Sequence, residues 1–182
     1  MVYLWKIHDD YPETLLGEYD RNRGPDRFAF KQGKPLTELP SEPPRFIFNA
    51  PIKKLRQFHD LGNNALVPLV SPALANILRK TCPNDVQLLP AEISCKDGTI
   101  DDYCVVVITH SVRGLDHEKS IYTLAPGSKS IMGLRKAVYR DECLGSHDAA
   151  RDAEYLSNLL ISDRLHAAFA GLNGLGLYPA NE

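Results

Sequence analysis

Tyr103-Cys104-Val105-Val106-Val107-Ile108 is the stretch on which the fold turns. A strand sends successive side chains to opposite faces, so a strand with one wet face alternates apolar and polar residues. These six residues do not alternate, which predicts a central strand covered on both sides. Upstream, Val86 to Cys95 is a second β run, and Lys96-Asp97-Gly98-Thr99 lies between the two. Asp-Gly supplies the positive φ of a tight reversal, so the runs are expected to form a hairpin. Pro90 has no N–H to give to a ladder, and its strand is therefore bulged there or lies at an edge. A further strand is expected from Ile131 to Tyr139. Asp141 to Glu154 is acidic and shows no clear period.

Working outward, the same local pattern occurs on both sides of this β region. Leu66-Val67-Pro68-Leu69-Val70 runs into Ser71-Pro72, a capping hydroxyl followed by a proline whose missing N–H costs nothing at the first helical position. Leu74, Ile77 and Leu78 then make an apolar stripe, and Pro83 predicts that the helix stops near Lys80. Near the C-terminus, Leu159-Leu160-Ile161-Ser162 matches Pro68-Leu69-Val70-Ser71, with Leu165 and Phe169 matching Leu74 and Leu78. Gly174 to Pro179 then matches Asp85 to Pro90. Each copy reads as strand, Ser-capped helix, loop and strand, an internal strand–helix–strand repeat. Gly171 and Gly174 follow the second helix, where a left-handed helix cap accounts for them better than a phosphate loop.

Residues 1–50 are an irregular N-terminal part. Val2 to Ile7 reads as a first strand and is too short and too soon acidic for a signal-peptide core. Six prolines from Pro25 to Pro51 exclude a long helix and leave short strands around Phe28-Ala29-Phe30 and Phe46-Ile47-Phe48. Residues 51–182 are the core of what reads as a single domain over 1–182. It opens with a short helix from Pro51 to Leu61, where Ile52, Leu55, Phe58 and Leu61 recur every third position. The predicted class is α+β: a mainly antiparallel, multi-stranded sheet system with a few short helices.

Composition limits the functions open to such a domain. The chain has 182 residues, 43% of them apolar, and a formal charge of −2. A chain of this length can bury about 70% of its unfolded surface, enough for a core without metals or disulfides. The near-neutral balance provides no basic field for nucleic acid, and no apolar run suits a membrane span. The four cysteines (Cys82, Cys95, Cys104, Cys143) show no metal-site spacing and read as small buried hydrophobes.

Three constellations carry potential chemistry. Ser146-His147-Asp148 is not a catalytic triad, because adjacent side chains diverge, and it reads as a polar turn. His110 and His117 with Asp116 and Glu118 have metal-ligand character, but no third ligand follows at a recognisable spacing, so no metal or cofactor is expected. Gly114 to Ser120 is a dense polar turn in which Asp116 accepts backbone N–H groups and Ser120 ties the far side.

The ordered set Phe58-x-Asp60, Leu69-Val70-Ser71-x-x-Leu74-x-x-x-Leu78, Asp85-Val86-Gln87-Leu88-Leu89-Pro90, Leu115-Asp116-x-Glu118-Lys119-Ser120, Ile161-Ser162-x-x-Leu165 and Gly174-Leu175-x-Leu177 resembles immunity family eleven of bacterial polymorphic-toxin systems. The resemblance covers residues 45 to 179 and leaves residues 1–44 without a counterpart. It implies a non-enzymatic, stoichiometric inhibitor of a cognate secreted toxin, with no cofactor. A cytoplasmic inhibitor implies a toxin acting in the cytosol, such as a nuclease, and a basic toxin face would call for carboxylates here. The candidate contact residues are Asp97, Asp101 and Asp102 by the hairpin, and Asp116, His117 and Glu118 in the following turn. The two groups are expected at one end of the sheet, with Asp141 to Glu154 as a further acidic patch. No contact with nucleic acid or membrane is expected, and homo-oligomerisation stays open. The alternative is a small-molecule-binding or hydrolytic enzyme using His110, Asp116 and His117.

Overall fold

The computed structural model describes residues 1–181. Among them the chain forms, in order, β1 (Val2–Ile7), β2 (Glu18–Tyr19), β3 (Arg45–Ile47), α1 (Ile52–Leu55), β4 (Leu69–Val70), α2 (Pro72–Thr81) and β5 (Val86–Pro90). There follow β6 (Glu92–Cys95), β7 (Gly98–Ile100), β8 (Cys104–Ile108), β9 (Ser111–Val112), β10 (Ile121–Leu124) and β11 (Ile131–Lys136). The chain ends with β12 (Ala149–Asp152), β13 (Leu159–Ser162), α3 (Asp163–Ala168) and β14 (Leu175–Pro179). The architecture is α+β, with mostly antiparallel strands and short helices.

All five residues of β8 are buried, and β8 is the middle strand of a three-stranded sheet ordered β4-β8-β5. Its side chains divide between two cores. Val105 and Val107 join Phe46, Ile93 and Leu69, against the four-stranded sheet β2-β3-β6-β7. Val106 and Ile108 join Leu74 and Leu78 of α2, Leu165 of α3 and Trp5 of β1. The unbroken apolar run thus reflects two buried faces. Trp5 belongs to the five-stranded sheet β14-β1-β13-β12-β9. The other face of that sheet gives Val2, Ala150 and Leu160 to a third cluster with Tyr139 and Leu144.

The internal repeat is real in three dimensions. β4 and β5 both pair antiparallel with β8, and β13 and β14 both pair antiparallel with β1. Each copy is therefore a split strand–helix–strand unit with one strand from elsewhere in the chain inserted between its two. The caps match as well. Ser71 Oγ accepts the Leu74 N–H at 3.3 Å, and Ser162 Oγ accepts the Leu165 N–H at 3.1 Å. Gly171 and Gly174 after α3 have φ of 84° and 82°, as a left-handed exit requires.

Four expectations need correction. In place of a short strand around Phe28-Ala29-Phe30, Ala29–Lys31 forms a 3-10 turn. The Asp97-Gly98 reversal exists, but it joins β6 to β7, not to β8. The single strand expected from Val86 to Cys95 is divided at Ala91: Pro90 sits on the edge strand, where its missing N–H breaks no bond to β8, and the Ala91 N–H still reaches Tyr103 O at 3.0 Å. β5 ends there at a sheet edge, and the Glu92 N–H goes to Pro44 O as β6 joins β3. The helix expected from Pro51 to Leu61 stops at Leu55. Beyond it tertiary bonds claim the backbone: the His59 N–H reaches Asn173 O at 3.1 Å, and Asp60 bridges to Val70.

The paired caps make a direct test. Ser71→Ala and Ser162→Ala should each lower unfolding free energy by about 1 kcal/mol, up to about 2 because each hydroxyl has a second partner. Guanidinium denaturation of the two variants checks this, and unchanged midpoints would show that the caps do not hold the helices.

Candidate functional site

Asp85 stands immediately before β5, and its backbone carbonyl receives the Thr109 N–H at 2.9 Å. The carboxylate is 7% exposed and crosses to the turn ahead of β12, in the five-stranded sheet. Its Oδ2 accepts the N–H groups of Asp148 (2.7 Å) and Ala149 (3.3 Å), and its Oδ1 lies 2.8 Å from His147 Nδ1. His110, just beyond β8, brings Nε2 to 3.7 Å from the same oxygen and to 3.0 Å from Asn84 O. The two imidazoles stack with centroids 4.1 Å apart. Beside them, Asp148 receives Arg164 Nε at 3.0 Å and Ser162 Oγ at 2.6 Å, and Arg164 Nη2 also binds it. The hydrogen bond from Arg164 holds the Asp148 carboxyl below its ordinary range, and Ser162 adds to this.

A second polar group crosses the same interface. Asp60 accepts Trp5 Nε1–H at 2.9 Å and the Leu69 N–H at 3.0 Å, so one carboxyl ties β1 to β4. Trp5, Asp60, Pro68 and Arg151 line a cavity of about 270 Å³. Arg151 is 1% exposed, and its Nη1 reaches only the carbonyls of Leu156 and Ser157. Its Nε and Nη2 have no partner among the described residues, and burial pushes the guanidinium down to about 10.

The chain matches the family model described as "Immunity protein family (Imm11)" over residues 6–182. It belongs to the Imm11 immunity protein family. A search of the curated proteins finds no match. The family match takes in residues 6–44 as well, which the quoted motifs left out. Membership gives this Imm11 chain a toxin-neutralising role and a cognate toxin as partner. No helix among the described residues is long and apolar enough to cross a membrane.

The candidate contact residues are not brought to one place. Asp97 accepts the Ile52 N–H at 2.8 Å and Asp102 pairs with Arg56 at 2.9 Å, so both sit around α1, while Asp101 is exposed beside them. Asp116 belongs to a different region. It accepts the Glu118 and Lys119 N–H groups, and the neighbouring Leu115 is buried in the third cluster with Tyr139. The expectation that both groups share one end of a sheet fails, because β7 and β9 lie in different sheets. The stretch from Asp141 to Glu154 is not a uniform acidic surface. Asp148 and Asp152 are buried, and Asp152 Oδ2 accepts Tyr139 O–H at 2.6 Å.

The enzyme alternative is not assembled either. His110 faces Asp85 and His147, whereas His117 contacts Tyr122 O–H and Glu154, each at 3.0 Å. The polar turn at residues 146–148 instead supplies two members of the interface network. Asp85 and His147 are 62 residues apart, and no local spacing announces their meeting.

Burial pushes the Asp60 carboxyl up to about 7, although the bonds from Leu69 and Trp5 oppose the shift. In the unfolded chain it ionises near 3.8, so between these values the folded protein holds a proton that the unfolded chain has released. The contribution is complete at low pH and declines as pH rises toward 7. Urea denaturation at pH 5 and pH 8 should show a loss of stability at pH 8 that is smaller in Asp60→Asn. An equal loss in both proteins would place the titrating group elsewhere.

Proposed function

We propose that this protein neutralises its toxin by stoichiometric, non-catalytic binding in the cytosol of the producing cell. The toxin is then an enzyme with a cytosolic target, a nuclease being the kind whose basic face suits carboxylates. Family membership over nearly the whole chain carries the immunity role, and surface geometry supports a particular docking region. The turn of Asp116, His117 and Glu118 meets the hairpin β10–β11 around a cleft of about 710 Å³ lined by Arg113, His117, Tyr122, Leu124 and Glu154. The two strands of the hairpin pair only with each other among the described residues, leaving backbone edges free. Ile121 and Met132 on the hairpin are 53% and 64% exposed, and Leu124, 48% exposed, lines the cleft.

An apolar anchor ringed by charge is the anatomy of a tight protein interface. Here Ile121, Leu124 and Met132 supply the anchor, and Asp116, His117 and Glu118 the rim. Asp97, Asp101 and Asp102 form a second proposed contact patch. Asp101 is the member not already committed to Arg56 or Ile52.

Co-expression with the toxin encoded beside it should restore growth. The surface pair Ile121→Asp and Met132→Asp should weaken toxin binding by about tenfold or more without changing the circular dichroism spectrum. Asp101→Lys tests the second patch in the same assay. Failure of the wild-type protein to bind or neutralise the toxin would end the proposal, and full rescue by the hairpin variant would move the docking site away from the hairpin.

A further inference from the structure

The Asp85–His110–His147 cluster is not among the residues lining the proposed docking cleft and is used by nothing described above except the contact between the three-stranded sheet and the turn ahead of β12. We propose that it is a binding site for one divalent transition-metal ion of the zinc class, with an open fourth position. The three ligand atoms all lie within 4.8 Å of one another. Two of the separations are 2.8 Å, from Asp85 Oδ1 to His147 Nδ1, and 3.7 Å, from Asp85 Oδ1 to His110 Nε2. Zinc–ligand bonds of about 2.0–2.1 Å in a tetrahedron place ligand atoms about 3.3 Å apart, so these values bracket the required edge. Modest rotation of two imidazoles closes the site.

The donor set selects the metal. Two imidazoles and one carboxylate suit zinc and its first-row neighbours, whereas magnesium and calcium want an all-oxygen shell. The carboxylate is already oriented for the task. Its Oδ2 is held by the Asp148 and Ala149 N–H groups, which leaves Oδ1 directed at both rings. Such outer hydrogen bonds are what fix a ligand for a metal.

Access is also graded. Asp85 is 7% exposed, whereas the side chains of His110 and His147 are 39% and 32% exposed. An ion would enter from the imidazole side and keep its remaining position toward solvent. In the free protein the same two nitrogens bond to Asn84 O and Asp85 Oδ1, contacts that an ion displaces without moving the backbone.

The site joins the ends of β5 and β8 to the turn ahead of β12, across two sheets, so metal should raise thermal stability as well as bind. The test uses the full chain, stripped with chelator, and needs no toxin, so its outcome is separable from that of the immunity role. Zinc titrated in a calorimeter should bind at one ion per chain. Cobalt in its place should give the visible absorption of a four-coordinate site. His110→Ala and His147→Ala should each weaken zinc binding by at least about tenfold and remove the rise in melting temperature, while His8→Ala binds zinc as wild type does. Asp85→Asn also loses two backbone contacts, so the histidine variants carry the decision. Absence of saturable binding, or equal binding in the His110 and His147 variants, would overturn the site.

Discussion

The structure is organised around the removal of both faces of β8 from water. Five consecutive residues, Cys104–Ile108, are all buried, which requires an apolar layer on each side. Aromatic residues of the small N-terminal strands fill one side, and the helices with Trp5 fill the other. Each fully buried valine or isoleucine contributes about 1.5–3 kcal/mol relative to exposure. Among the described residues β8 is the longest strand buried throughout, ahead of the four-residue β12. The irregular first fifty residues exist largely as one of the layers, with Phe30, Phe46 and Phe48 buried despite the loops around them.

The second principle is duplication with a polar seam. Two split strand–helix–strand units share one apolar cluster, and hydrophobic packing alone would allow them to slide. Directional bonds fix the register. Asp60 ties β1 to β4, Asp85 ties the start of β5 to the backbone ahead of β12, and Arg164 of α3 reaches both Asp148 and the Thr81 carbonyl at the end of α2. Buried polar groups of this kind are costly unless satisfied, which favours one arrangement over near alternatives. Arg151 is an exception, its Nε and Nη2 without a partner among the described residues beside the cavity.

An inhibitor gains from such rigidity. A surface that is already in its bound shape loses little conformational entropy on docking, so more of the contact energy appears as affinity. In this Imm11 chain the stiff part is the double unit, and the projecting part is the turn and hairpin between β9 and β12. That segment is attached to the core by Leu115, Tyr139 and Leu144, buried against Val2, Ala150 and Leu160, and by the bonds of Tyr139 to Ala180 and Asp152. On the proposed docking, variation in this hairpin changes the partner without touching the bonds of Asp60 and Asp85.

Local pattern was enough for the α+β class, the two Ser-capped helices, the duplicated unit, the central position of β8 and the helix-ending glycines. The ordered motifs also carried the family. Each of these rests on interactions within a few residues or on periodicity, which the chain states directly. Strand partners were another matter: Asp97-Gly98 announces a reversal but not which strand follows it into the same sheet, and the break at Ala91 is set by β3 competing for the backbone of β6. The meeting of Asp85, His110 and His147 is likewise invisible in the sequence, because side chains tens of residues apart converge only when two cores have chosen the sheets that hold them. Sequence determined what each segment is, since propensity and burial pattern are local; tertiary structure alone decided which segments touch, since long-range pairing depends on competition among many surfaces for the same apolar contacts.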